Sequence, residues 1–298
     1  MRPRVSAIVT TRNSELSLEA CLKSIRSQSY GSVELLVVDN RSDDATVAIA
    51  RRYADVVADI GPERSAQRNC GARLATGDYL LFVDSDMILD SAVISECLEM
   101  AKRGGALAIV IPEVTTGHGF WARCRAFERS CYLGDELIEA ARFFRRDVFA
   151  EIGGFDEALT GPEDWDLTAR LRKLRQSTSS TLPRIRSFIS HDEGRIRLRS
   201  WLRKKRYYAS SFKTYWRKHP AIAARQGNLL FRGALLRNWR RLLRHPLLAL
   251  GTLSFKSLEL CAGLTGLVLS RKSSPSGPQV SGSRLPRDLW RASLPHKE

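Results

Sequence analysis

The sequence predicts an α/β fold: a Rossmann-like, mostly parallel central sheet flanked by helices, followed by a helical extension. Three observations carry that prediction. Apolar runs of strand length recur at Val5–Thr10, Glu34–Asp39 and Tyr79–Val83, the pattern of strands buried on both faces. Helix-period stretches separate them, and repeated strand–helix–strand passes imply a parallel, doubly wound sheet. Two of the runs finish on carboxylates, Asp39 and Asp84, at the edge where open α/β sheets hold their ligands.

In chain order, Val5–Thr10 is the first strand and Thr11-Arg12-Asn13 a polar loop, with Asn13 a candidate N-cap for a helix from Ser14 to about Ser27. Leu18, Cys21, Leu22 and Ile25 form the inner stripe of that helix. After the second strand, a helix is expected from about Asp44 to Tyr53 and a short strand over Asp55–Ile60. Ser65 reads as the cap of a helix running through Ala75, with Gly77 ending it. Beyond Tyr79–Val83, a helix is expected from Ser91 to about Lys102, a strand over Ala106–Ile111, and a helix over Phe120–Leu133. Arg142–Phe144 reads as an edge strand, with a short helix from Asp147 and a further helix opening over Thr160–Asp166. Glu163, Asp164 and Asp166 fall in the first turn of that last helix, where the dipole favours carboxylates.

The net charge of +16 is local. Residues 184–245 hold eighteen Lys/Arg against only Asp192 and Glu193, and the rest of the chain balances at thirty of each sign. The same segment is rich in Trp and Tyr, and Pro246–Ser270 follows as an apolar stretch broken only by Lys256 and Glu259. A composition of 43% hydrophobic residues excludes a wholly disordered chain. Six cysteines without CxxC or metal spacing read as buried, reduced thiols of a reducing compartment. The N-terminus enters a strand almost at once, with no signal-peptide layout. Three regions are expected: a nucleotide-binding catalytic domain over 1–194, a basic and aromatic helical extension over 195–271, and a disordered tail over 272–298.

Asp84-Ser85-Asp86 is the stretch with the plainest chemistry. A buried strand that hands two carboxylates to a turn can present both to one divalent cation, and oxygen ligands suit Mg²⁺ or Mn²⁺. Neither a GxGxxG turn nor a Walker loop is present. A bound nucleotide would therefore meet metal and side chains rather than a glycine-rich loop.

An ordered series of motifs over residues 4–195 resembles the family-2 glycosyltransferases of GT-A fold. They are VSAIVTTRN (5–13), ELLVVDN (34–40), QRNCG (67–71), DSD (84–86), GGFDE (153–157), EDWD (163–166) and HDE (191–193). The resemblance implies a single, inverting sugar transfer from a nucleoside-diphosphate sugar of UDP or GDP type. It implies that Thr10, Thr11, Arg12 and Asp39 line the nucleoside pocket, that Arg68 reaches base or diphosphate, and that Asp84 contacts the donor. Asp84, Asp86 and His191 would sit at the metal, and Asp164 would be the general base, with Glu163 and Trp165 beside the acceptor. The chemistry asks for these types independently: a cation and an arginine neutralise a leaving diphosphate, and a carboxylate deprotonates a sugar hydroxyl. The chain departs from the pattern at Arg41, where the family usually has Gly, and at Asp43, where it has Thr. It also lacks the Gln-x-x-Arg-Trp motif of processive members, and Ser177–Thr181 replaces a usual Gly.

Each residue also has an ordinary alternative. Asp39 could close an Asx turn, Asp84 and Asp86 could end a strand, Asp164 could serve the helix dipole, and Trp165 could pack. Arg68 could be a solvated helix arginine, and His191 a structural histidine. For the C-terminal third, the residues favour an in-plane or re-entrant helix over a spanning one, because Lys256 and Glu259 and the basic flanks fit a span poorly. An anionic membrane surface on the cytoplasmic face is the expected partner, with a peripheral or monotopic enzyme acting on a lipid-linked or membrane-proximal acceptor, a polyprenyl-diphosphate-linked saccharide or a glycolipid; no nucleic acid is expected. The rival readings are a nucleotidyltransferase on a related sheet and a non-catalytic basic membrane- or nucleic-acid-binding protein.

Overall fold

A computed structural model describes residues 2–174, 182–227 and 233–269. The expected tail over 272–298 and the Ser177–Thr181 stretch lie outside the described residues.

The chain opens with β1 (Val5–Thr11), α1 (Leu18–Arg26), β2 (Val33–Asp39), α2 (Thr46–Tyr53), β3 (Val56–Asp59), α3 (Arg64–Leu74) and β4 (Tyr79–Asp84). It continues with β5 (Met87–Leu89), α4 (Val93–Gly104), β6 (Ala108–Val110), β7 (Glu113–His118), α5 (Phe120–Cys131) and β8 (Ala141–Arg145). Then come α6 (Arg146–Glu151), α7 (Glu163–Leu174) and β9 (Ile189–Arg195). The C-terminal layer is α8 (Leu198–Lys218), α9 (Pro220–Gly227), α10 (Gly233–Arg237), α11 (Trp239–Arg244) and α12 (Pro246–Leu269).

Six strands form the central sheet in the order β3-β2-β1-β4-β8-β6. The first four are mutually parallel, and β8 runs antiparallel to both β4 and β6. This is the mostly parallel α/β sheet that the apolar runs predict. Because strand side chains alternate, each strand feeds two cores. Ala7, Val9, Leu35, Val37, Leu81 and Val83 pack under α1, α2 and α4. Ile8, Leu36, Val38, Leu80 and Phe82 pack under α3, α6 and α7. A second, three-stranded sheet in the order β5-β9-β7 stands beside the rim of the first. It has no counterpart in the sequence reading, since β5 is only three residues long and β7 and β9 carry mixed polar residues.

Several boundaries differ for local reasons. Asn13 is not an N-cap: its φ is +48° and its side chain accepts the Asp43 N–H, while α1 begins only at Leu18. Ser65 lies inside α3, whose N-cap is Glu63. Arg142–Phe144 belongs to an interior strand rather than an edge, because β6 pairs along its far side.

The C-terminal extension is packed against the catalytic layer. Gly251 lets α12 approach α5 closely, where a Cβ would stand 2.4 Å from Cys124 Sγ. Lys256 is buried between Glu128 of α5, at 2.5 Å, and Glu259, at 2.9 Å. Glu259 also accepts from the Trp201 indole of α8, at 2.8 Å. The apolar stretch thus has a polar inner face that it spends on α5 and α8.

Candidate active site

Strand register gathers the first residues of the site. Thr10 pairs with Asp84 and Thr11 with Asp39, so the ends of β2, β1 and β4 form one rim. Gln67 of α3 fixes this rim by donating to the carbonyls of Thr11 and Val38, at 3.0 and 2.7 Å. Asp39 is buried and accepts from Thr11 Oγ1 at 2.7 Å, Ser42 Oγ at 2.6 Å and Ser42 N–H at 2.7 Å. The turn it closes places Arg41 at φ +49°, a left-handed conformation that glycine adopts freely. That explains why the related motif carries Gly there. Arg12 is exposed beside the rim.

Arginines organise the centre. Arg68 is 1% exposed and stands under the Phe155 ring. Its guanidinium donates to Asp84 and to Asp164, both at 2.8 Å, and reaches Glu163 at 3.4 Å. Arg142 of β8 reaches Asp84 at 3.4 Å and Glu113 at 2.6 Å, and Arg64 approaches Asp84 at 3.8 Å. Burial opposes ionisation of Asp84, but the Arg68, Arg142 and Arg64 charges outweigh it and hold the carboxyl well below its usual range. The same contest, won by Arg142 and Arg129, brings Glu113 down to about 2. Arg64, Arg129, Arg142 and Glu113 were missed at the sequence level. The alternation of β8 gives a weak signal, a charged residue set between Ala141 and Phe143 in an apolar strand.

The three carboxylates opening α7 separate in the structure. Asp166 is 1% exposed and bonded to His219 Nε2 at 2.8 Å and to Arg170 at 2.7 Å. Glu163 is 2% exposed, accepts the Gly161 N–H at 2.6 Å, and is pushed up by burial and by the adjacent Asp164 charge. Asp164 alone faces a cavity of about 180 Å³, together with Trp165, Glu113, Glu139, Arg129 and Arg142. Trp165 packs beside Tyr215 and donates its indole N–H to the Ile138 carbonyl at 3.1 Å, so it both packs and walls this cavity. Asn69 sets the preceding turn by pairing with the Phe155 backbone, and Gly154, at φ +67°, leaves room for it. From α8, Ser211 exchanges hydrogen bonds with the Thr160 backbone and steadies the entry to α7.

Across the rim, Asp86 and His191 meet. Met87 pairs with His191 in the small sheet, and His191 Nε2 lies 3.2 Å from Asp86 Oδ2. Among the described residues no cluster of three or more His, Cys, Asp or Glu side chains has a metal-holding arrangement. The pair offers one carboxylate and one imidazole, a donor set that accepts Mn²⁺ or Mg²⁺ when water and phosphate complete it. All six cysteines are free thiols, four of them buried.

The model of glycosyl transferase family 2 matches residues 6–154, half of the chain and most of this rim. The chain belongs to glycosyl transferase family 2. Among family relatives, it is 31% identical over 157 residues to the uncharacterized glycosyltransferase EpsJ of Bacillus subtilis, covering 51% of this chain and 43% of EpsJ. It is 29% identical over 180 residues to a PGL/p-HBAD biosynthesis glycosyltransferase of Mycobacterium tuberculosis, covering 56% of this chain and 69% of the relative. The chain thus spans less than half the length of EpsJ, and 31% of a second Bacillus relative, EpsH. The fold is similar to that of a mannosyltransferase from Pyrobaculum calidifontis solved with GDP-Man and Mn²⁺, with a TM-score of 0.61 at 19% identity over 90% of this chain and 88% of that one. It is also similar to residues 1–349 of TarS from S. aureus, with a TM-score of 0.52 at 14% identity over 91% and 92% of the two chains.

Proposed function

We propose that this family-2 chain transfers one sugar from a nucleoside-diphosphate sugar, of UDP or GDP type, to a saccharide hydroxyl with inversion. One observation carries the reading: of the three acids opening α7, only Asp164 faces the cavity, and Arg68 ties it to Asp84 at the strand rim. That arrangement supports a carboxylate on the acceptor side and a donor at the rim. Family membership favours sugar transfer over the nucleotidyltransferase and non-catalytic readings. A mannosyltransferase of similar fold, solved with GDP-Man and Mn²⁺, supports the donor class and the cation.

In this mechanism the rim of Thr10, Thr11 and Asp39 receives the nucleoside, with Arg12 at its edge. Asp86 and His191, with Asp84 behind them, would hold Mn²⁺ or Mg²⁺, which when bound neutralises charge on the leaving diphosphate. Arg64, Arg68 and Arg142 add fixed positive charge around Asp84, where negative charge develops as the diphosphate departs. Arg68 also orients Asp164, which takes the proton from the acceptor hydroxyl as it attacks. Trp165 offers a flat wall to the acceptor, and Glu163, buried behind Asp164, fixes the turn rather than touching substrate.

The enzyme is further assigned to the cytoplasmic face of a membrane, as a peripheral or monotopic protein. Supporting this, α12 is apolar enough over Pro246–Gly266 to cross a bilayer, yet its Lys256 and Glu259 are spent on α5 and α8. Its outer leucines remain exposed. Release of UDP or GDP from a panel of nucleotide sugars with Mn²⁺, lost in Asp86→Ala, tests the transferase reading. No release from any common donor would overturn it.

A further inference from the structure

A second cavity adjoins the one at Asp164. It measures about 850 Å³ and shares Leu133 as a wall with the first. Such a volume is within the range of sites that enclose a ligand much larger than one sugar ring. Its polar lining is cationic in character, with the guanidiniums of Arg172, Arg225 and Arg237 set against the carboxylates of Asp135 and Glu136.

Three guanidiniums against two carboxylates leave this lining net positive. Asp135 is used twice, by Arg237 at 2.7 Å and by the Leu137 N–H at 3.0 Å. Arg172 donates to the backbone carbonyl of Glu136 at 2.8 Å, and its Nε is buried without a partner among the described residues. Arg225 is exposed and carries no ion pair among the described residues. Arginine forks bind phosphate oxygens through paired, charge-assisted hydrogen bonds.

Asp164 and Arg172 lie on the same helix, eight residues and therefore about 12 Å apart along its axis. From Asn238, which lines this cavity, the chain enters α11 with Trp239 and reaches Leu243, which are 54% and 70% exposed. Arginines and exposed apolar side chains thus stand beside the same cavity.

We propose that the second cavity seats the phosphate of a lipid-linked acceptor, a glycosyl phosphate or diphosphate lipid whose saccharide end lies at Asp164 and whose chain leaves toward α11. This rests on the transferase reading for the role of Asp164, and it adds the class of acceptor. Arg172 and Arg225 take the phosphate oxygens, Arg237 holds Asp135 out of their way, and the lipid continues onto the exposed apolar face.

The experiment measures binding of three probes to the full chain in EDTA, below their micelle-forming concentrations: dodecyl phosphate, inorganic phosphate and dodecyl maltoside. Dodecyl phosphate is expected to bind at least tenfold more tightly than either of the others. The double variant Arg172→Gln, Arg225→Gln is expected to lose at least tenfold of that binding, and Arg225→Lys to keep most of it. Arg225→Gln alone, at an exposed position, keeps the fold intact and should show part of the loss if Arg172→Gln destabilises α7. Equal binding by wild type and both glutamine variants would overturn the seat. Dodecyl maltoside binding as tightly as dodecyl phosphate would reduce it to apolar adsorption and overturn it too. Inorganic phosphate binding as tightly as dodecyl phosphate would assign the arginines to a free phosphorylated ligand and overturn the lipid assignment. The transferase reading fails separately, by absent nucleotide release with Mn²⁺, so the two failures are distinguishable.

Discussion

Two buried charge clusters are built from the same materials to different ends. At the rim, Arg68, Arg142 and Arg64 hold Asp84, Asp164, Glu163 and Glu113. Under the C-terminal layer, Lys256, Arg125 and Lys205 hold Glu128, Glu259 and Glu193. Each depresses some of its carboxylates: Asp84 by its arginines, and Glu128 and Glu259, the latter to about 2, chiefly by Lys256. A displaced pKa therefore does not distinguish the candidate site from the second cluster. Access to solvent does. The Asp164 and Asp86 side chains are 30% and 45% exposed, whereas those of Lys256, Glu128 and Glu259 are 3%, 0% and 3%. The first cluster opens on a cavity and can do chemistry. In the second, the Lys256, Glu128 and Glu259 side chains are sealed and hold helices together.

The largest expected effect separates the clusters by activity. Asp164→Asn should lower turnover by roughly 10²–10⁴-fold, the usual worth of a positioned general base. The amide keeps the shape and still accepts from Arg68, so the thermal midpoint should move little. Turnover within a factor of three of wild type would remove Asp164 from the reaction.

The sealed cluster should answer in the opposite currency. Lys256→Met removes the buried cation that Glu128 and Glu259 share, and breaking a buried pair by removing one partner costs about 3–5 kcal/mol. Chemical denaturation should show that loss, while turnover per folded molecule with a soluble acceptor stays near wild type. A smaller, pH-resolved test follows from Glu259, whose neighbours are Lys256 and Lys205, Arg125 and Glu128. Its folded pKa, about 2, lies below its ordinary 4.5. The unfolded chain therefore binds more protons between those values, and the stabilisation is present above pH 4.5 and lost as pH falls toward 2. Wild-type thermal midpoints should fall more steeply than those of Glu259→Gln across this window. Parallel curves would show that Glu259 is not held as the structure describes.

Much of this was legible in the residues, and what was not has physical reasons. The strands β1, β2 and β4 announce themselves because strands buried on both faces must be apolar throughout. The motif order brought Asp39, Arg68, Asp84, Asp86, Asp164 and His191 forward, and the structure joins Arg68 to Asp84 and Asp164, and Asp86 to His191. Sequence alone could not separate Asp164 from Glu163 and Asp166, because the helix dipole favours all three equally. Only packing against Gly161 and His219 tells them apart. Arg142 was hidden because a lone charge in a short strand looks like an edge position. Lys256 and Glu259 signalled that α12 fits a span poorly, but their partner Glu128 lies more than a hundred residues away and leaves no trace in local pattern.

The smallest expected effect on catalysis is the one that sharpens the role of the C-terminal layer. On α12, Gly251, Thr252, Phe255, Lys256 and Glu259 are buried, and Leu247, Leu250, Leu253, Leu258 and Leu264 are exposed on the opposite face. With Leu243, 70% exposed, and the arginines of α11 beside them, these leucines match a helix that lies in a lipid interface: apolar side chains enter the acyl boundary while Lys/Arg meet anionic headgroups. Changing Leu243, Leu247 and Leu250 to Gln removes apolar surface without touching the sealed cluster. Flotation with anionic phosphatidylglycerol vesicles should fall at least tenfold, and turnover of a soluble acceptor should stay within twofold. This triple variant is a cleaner probe than truncation after His191, which would strip α8 from Thr160 and disturb Asp164 itself. Undiminished flotation would move the membrane contact off this face, and the sealed cluster would then serve only to close the catalytic layer.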